Sequence, residues 1–160
     1  MLPYHFESTA EVSAAADAIF LHLDDHIRLS AHMSSSSWMM AGSRMAIELD
    51  ASEGHAVGAT IRLSGRVLGI PLCVEETVTE RRSPLRKVWE TTGTPRLLVI
   101  GQYRMGFEIT PKGQASQLRV FIDYALPDGL FSRWAGRFFG RFYARWCTQR
   151  MAEDTAKHFK

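Results

Sequence analysis

Along residues 4–12 the chain alternates Tyr4, Phe6, Ser8, Ala10 and Val12 with His5, Glu7, Thr9 and Glu11, a period of two that predicts a half-buried strand. The period then lengthens. Ala15, Ile19 and Leu23 share one helical face with Phe20 beside them, which predicts a helix over residues 14–23 capped by Ser13. Asp24 and Asp25 break this helix and restart a second short one that ends near Met33. Residues 33–40 read as loop.

Six strand signals follow, over residues 45–49, 59–67, 71–81, 86–92, 97–109 and 118–126. Gly54 and Gly58, Gly69-Ile70-Pro71, Ser83-Pro84, Thr94-Pro95 and Pro111-Lys112-Gly113 separate them. With no helical stretch between them, they predict an antiparallel meander and not βαβ units. After Pro127, Phe131, Trp134, Phe138, Phe142 and Trp146 recur at three- and four-residue steps, with Ala135, Phe139 and Tyr143 beside them. This predicts one helix from residue 132 to about residue 158, roughly 40 Å long. Gly136 and Gly140 stand four apart inside it, where a close neighbour or a bend would require them. So wide an aromatic stripe needs a sheet against it. The predicted fold class is therefore α+β: a curved antiparallel sheet of about seven strands, in the order β-α-α-β6-α, wrapped on a long C-terminal helix.

A length of 160 residues, 46% of them hydrophobic, suits one domain over 1–160 with a core that needs neither disulfide nor metal. The formal charge of +2 is too small to argue for nucleic acid. Cys73 and Cys147 belong to no CxxC or ligand cluster and read as reduced, packed thiols. The N-terminus lacks the charged and apolar regions of a signal peptide. No run approaches the roughly 18 apolar residues of a membrane span, so the expected location is the cytoplasm.

Residues 6–33, 57–80 (VGATIRLSGRVLGIPLCVEETVTE), 83–89 and 113–127 running into the final helix resemble the SRPBCC, or START-like, superfamily. The likeness is to its polyketide cyclase/dehydrase and lipid-transport branch, and it spans nearly the whole chain. It rests on patterns of Gly, Pro and apolar alternation. The resemblance implies a helix-grip fold and a single ligand-binding domain with a hydrophobic cavity between sheet and helix. It further implies a lipid, polyketide or quinone type of ligand and no cofactor. It supplies no catalytic residue, so function has to be argued from the site.

Strand alternation predicts which side chains face that cavity. Ile61, Leu63, Gly65 and Val67 share a face, as do Tyr103, Met105, Phe107 and Ile109, and Leu118, Val120, Ile122 and Tyr124. A slip of one residue would bury arginines instead. The expected wall comprises Leu63, Val67, Tyr103, Phe107, Ile122 and Tyr124 from the sheet, with Phe138, Phe142 and Trp146 from the helix. Tyr103 and Tyr124 could orient a ligand carbonyl. Trp38, among Met33, Met39, Met40 and Met45, suits a malleable lid. Ordinary core packing explains these positions equally well.

One strand breaks its rule. Leu72, Val74 and Val78 imply that Glu76 and Glu80 also face inward, and Val88 takes Glu90 with it. A symmetric Ser83-Pro84 turn then sets Glu76 opposite Glu90. Paired carboxyls in an apolar cavity are an acid/base arrangement for enolisation, aldol-type cyclisation or dehydration. A bulge that flips one of them, or a wet rim beside an arginine, is the competing reading, and the same register sends Trp89 outward. His26 and His32 stand near the expected entrance without a third ligand, so no metal is expected. His5, His22, His55 and His158 read as surface.

Arg133, Arg137, Arg141 and Arg145 form one ridge on the final helix, with no acid on it until Glu153 and Asp154. It is either a solvated face or a contact for an anionic membrane surface, an acidic protein or acids of this chain. Three readings of function follow. The first is a binder or carrier of a hydrophobic small molecule. The second is a cofactor-free cyclase/dehydratase or isomerase using Glu76 and Glu90. The third is a partner- or membrane-surface-binding protein acting through the arginine ridge.

Overall fold

The computed structural model describes residues 1–31 and 45–160. The chain runs β1 (Tyr4–Val12), α1 (Ala16–Asp24), α2 (His26–Leu29), β2 (Met45–Leu49), β3 (Thr60–Val67), β4 (Ile70–Arg82), β5 (Arg86–Arg96), β6 (Tyr103–Lys112), β7 (Ala115–Tyr124) and α3 (Leu130–His158). The strands form one antiparallel sheet in the order β1-β7-β6-β5-β4-β3-β2. This is the expected α+β architecture, an antiparallel sheet with a long C-terminal helix against it.

The alternation in β3, β6 and β7 sends the apolar set inward. Ile61, Leu63, Phe107, Leu118, Val120 and Ile122 are all buried, and Ile19, Phe20 and Leu23 of α1 close one end of the same core. The outer face is polar, with ion pairs such as Arg62–Glu75 and Arg119–Glu108 between strands. Val88 is an apolar exception on this face, and so is Phe121. Phe121 is buried beneath the guanidinium groups of Arg86, Arg104 and Arg119, 5.2 to 6.0 Å from its ring, an arrangement that favours cations over the ring face.

Four local expectations are corrected. Helix α1 starts at Ala16 with no side-chain cap, so Ser13 does not cap it. Helix α2 is instead capped by Asp25, whose carboxyl accepts from the N–H groups of Ile27 and Arg28. Strand β6 begins at Tyr103, and residues 97–100 cross as a separate segment against α3.

The largest correction concerns the face of α3. Its buried residues are Gly136, Gly140, Ala144, Cys147, Thr148, Met151, Ala152 and Thr155. The aromatic stripe points the other way, with Phe131, Trp134, Phe138, Phe139 and Phe142 all more than half exposed. The cause is close backbone approach. A Cβ on Gly136 would stand 2.7 Å from the Val99 carbonyl oxygen, and one on Gly140 would stand 2.9 Å from the same atom. The helix meets its neighbours through its smallest residues, which turns the large rings outward.

The fourth correction sets the chemistry. Strands β4 and β5 pair Arg82 with Arg86 and Glu80 with Val88, but then Val78 with Trp89 and Glu76 with Thr91. An extra residue in β4 between Val78 and Glu80 makes a bulge, and a bulge changes which face the following residues occupy. Trp89 is therefore buried on the inner face. Glu90 pairs with Thr77 on the outer face and ion-pairs with Arg104. Glu80 is also outside, between Arg82 and Arg86. Of the three glutamates expected inside, Glu76 alone remains there.

Candidate functional site

Between the concave face of the sheet and α3 lies a cavity of about 120 Å³. β3, β4 and β6 supply Leu63, Val74, Tyr103 and Met105 to its wall, α3 supplies Tyr143, Cys147 and Met151, and the crossing segment supplies residues 97–100. Cavities of about 150 Å³ lined by aliphatic side chains take up benzene. The space here thus matches a single ring or a short aliphatic group.

The lining is apolar except at one end, where Glu76 enters from β4 with only 2% of its surface exposed. Burying a carboxyl is costly unless hydrogen bonds replace the lost water. Two partners do so. The Tyr103 hydroxyl donates a hydrogen bond to Glu76 Oε1, and His26 Nε2 lies 3.3 Å from Oε2. His26 comes from α2, where the Asp25 cap fixes the turn. Its ring stands edge-on to Trp89 at 5.0 Å, and among the described residues its buried Nδ1 has no hydrogen-bond partner.

Tyr103, Tyr143 and Cys147 stay neutral in this wall. Burial pushes the Tyr103 phenol well above its usual value, and the neighbouring Glu76 adds to the effect. Burial does the same to Tyr143. It raises the Cys147 thiol to about 12, outweighing the opposing hydrogen bond with Tyr143. A thiol held there is no nucleophile at neutral pH. The chemistry available in the wall is therefore hydrogen bonding and proton transfer at Glu76 and Tyr103.

Below Trp89 and Phe20 a second buried cluster holds the corner between α1 and α2. Asp24 lies 2.8 Å from Lys87 Nζ, 2.7 Å from Arg81 Nη2 and 2.8 Å from His55 Nδ1. Burial alone would raise the Asp24 carboxyl, but the hydrogen bonds from Arg81, Lys87 and His55 outweigh it and hold the group well below the usual carboxylate range. Lys87 is fully buried, and burial lowers its ammonium despite the Asp24 partner. This cluster contributes no residue to the cavity wall.

Of the residues expected in that wall, Leu63, Val67, Tyr103 and Ile122 are there, together with Glu76. Phe107 is buried against Phe20 and Trp89, outside the cavity. Tyr124 is buried beside Gly140 and stacks on Tyr4 at 5.4 Å. Phe138 and Phe142 lie on the exposed side of α3, and Trp146 packs against Tyr143 and the edge of the core. Trp38, like His32, is outside the described residues. Trp89, Tyr143 and Cys147 were not foreseen at the site, and His26, expected near its entrance, stands beside Glu76. An outward tryptophan was itself a warning that the assumed register was wrong.

No protein-family model and no curated protein matches the sequence. Solved structures do. The Zhui aromatase/cyclase of a Streptomyces species superposes with a TM-score of 0.69 at 15% identity, over 97% of this chain and 92% of that one. A protein from Thermus thermophilus gives 0.68 at 11% identity, over 97% and 98%. Norcoclaurine synthase from Thalictrum flavum gives 0.66 at 14% identity, over 96% and 84%. The chain has the helix-grip fold of the SRPBCC, or Bet v1-like, proteins.

Proposed function

We propose that this protein binds a hydrophobic small molecule in the cavity and anchors one polar group of it on Glu76 and Tyr103. The observation that carries this reading is a carboxyl buried in an otherwise apolar wall and facing a ring-sized space. A packed core gains nothing from such a group, whereas a ligand site needs a few convergent polar atoms to fix orientation. The pair selects a ligand with an apolar body and a hydrogen-bond donor, such as a phenol, hydroquinone or amine. Longer lipid, polyketide or quinone ligands would place one ring or chain end here.

Mass spectrometry of material extracted from the purified protein tests the reading. A compound of this type should be recovered from the parent and depleted from Leu63→Phe, which fills the cavity. A compound held equally by both variants would contradict it.

A second reading, catalysis, is favoured by the Tyr103–Glu76 hydrogen bond itself. A carboxyl within reach of a bound ring, with a neutral phenol beside it, is an acid/base pair for enolisation, cyclisation or dehydration. It uses Glu76 with Tyr103 and His26, and Glu90 has no part in it. The likeness to an aromatase/cyclase and to norcoclaurine synthase supports this version.

A further inference from the structure

We propose that the first half of α3 is a docking face for the surface of an anionic lipid membrane. Leu130, Phe131, Trp134, Phe138 and Phe142 lie on the side of the helix turned away from the sheet, each more than half exposed. Aromatic side chains of this size present on the order of 500 Å² of apolar surface together, at the upper end of what monomers leave open to water. Scattered exposed rings need no explanation, but a continuous stripe over about three turns does.

The charge beside the stripe says what covers it. Arg133, Arg137, Arg141 and Arg145 are all exposed and follow the helix at four-residue steps. At about 100° per residue, this ridge runs along one flank of the aromatic stripe. Among the described residues none of the four takes part in an ion pair, and residues 32–44 contain no Asp or Glu. An anionic bilayer satisfies both features at once. The rings enter the boundary between head groups and acyl chains, and the guanidinium groups meet phosphates.

A second copy of the chain would cover the rings but press two cationic ridges together. Among the described residues no helix is long and apolar enough to cross a membrane, so α3 would lie along the surface. Its seat keeps the stripe free for this, because the Val99 carbonyl lies against Gly136 and Gly140 on the opposite side of the helix. The inference stands on the helix face alone and is independent of what the cavity holds.

Co-sedimentation of the full chain with vesicles tests it. One set is phosphatidylcholine mixed equally with phosphatidylglycerol, and the other is phosphatidylcholine alone. The parent should sediment with the anionic vesicles, and binding should weaken as salt rises. Each arginine near the surface adds on the order of fivefold to partitioning, so replacing all four with glutamine should lower binding by about a hundredfold or more. Trp134→Gln with Phe138→Gln and Phe142→Gln should also abolish it. Both variants should keep the parent's circular dichroism, because every altered side chain is exposed. Equal binding by the arginine variant and the parent, or equal binding to both vesicle types, would overturn the proposal. So would a parent that ignores vesicles and dimerises in light scattering through the same aromatic side chains.

Discussion

The Tyr103 hydroxyl donates a hydrogen bond to the carboxyl of Glu76, joining β6 to β4 at the polar end of the cavity. Twenty-seven residues separate the two in sequence, and the sheet brings them together. Removing one member leaves the other buried with a lost partner, at a cost of about 1–3 kcal/mol. Tyr103→Phe should therefore destabilise the protein by that amount in urea unfolding. Glu76→Leu combined with Tyr103→Phe should cost less than the sum of the two single changes, because neither group then strands the other, and His26 Nε2 alone loses a partner. Additive losses in the double variant would show that the two groups are not coupled.

If the cavity catalyses a reaction, Glu76→Gln should abolish turnover and leave ligand affinity nearly intact. The amide keeps the shape and a hydrogen bond but transfers no proton at neutral pH. A pure carrier has no turnover to lose. Activity retained in Glu76→Gln would remove the acid/base reading and leave the binding reading untouched.

How much of this was legible in the sequence varies from element to element. β1, β3 and β7 obey a period of two without interruption, so their inward and outward faces could be read directly. β4 does not, because the extra residue between Val78 and Glu80 changes face without changing hydrophobicity. Taking the apolar Val88 as inward placed Glu90 inside and Trp89 outside, whereas Val88 pairs with Glu80 and Gly106 on the outer face and Trp89 is the inward residue. Helix α3 misled for a different reason. Apolar periodicity finds the large rings, whereas the contact is made where Gly136 and Gly140 let the Val99 carbonyl approach. The two glycines four apart were the visible signal, and they outranked the rings. The Asp24–Lys87 cluster left no local signature, since its members are scattered from position 24 to position 87.

Asp24→Asn should cost about 3–5 kcal/mol, because it leaves the buried Lys87 without its counter-charge. The pH dependence follows from the depressed carboxyl. Its folded value lies below the ordinary 3.8, so its contribution is fully present above that value and is lost as pH falls toward the folded one. Parent stability should thus drop between about pH 4 and pH 2, while Asp24→Asn should be flatter across the same window. Parallel curves from chemical denaturation at each pH would contradict this assignment.

Gly136→Ala tests the seating of α3. Alanine favours a helix over glycine by about 1 kcal/mol, but here its methyl would meet the Val99 oxygen at 2.7 Å and Pro127 Cδ at 2.8 Å. Backbone on one side and a ring on the other give way poorly, and such overpacking costs about 1–3 kcal/mol. The expected result is a net loss of up to about 2 kcal/mol in thermal or urea unfolding. A more stable variant would mean that the helix can move away from the crossing segment.

The central claim is that Glu76 and Tyr103 supply the polar anchor of a ring-sized apolar cavity. Calorimetric titration of phenol and of toluene into the parent and into Glu76→Leu/Tyr103→Phe tests it most directly, since the two rings differ chiefly in one donor group. The parent should bind phenol more tightly than toluene, by about fivefold for one net hydrogen bond of about 1 kcal/mol. The double variant should keep toluene and lose the preference. Saturable binding of neither ring, or an unchanged preference in the double variant, would contradict the account.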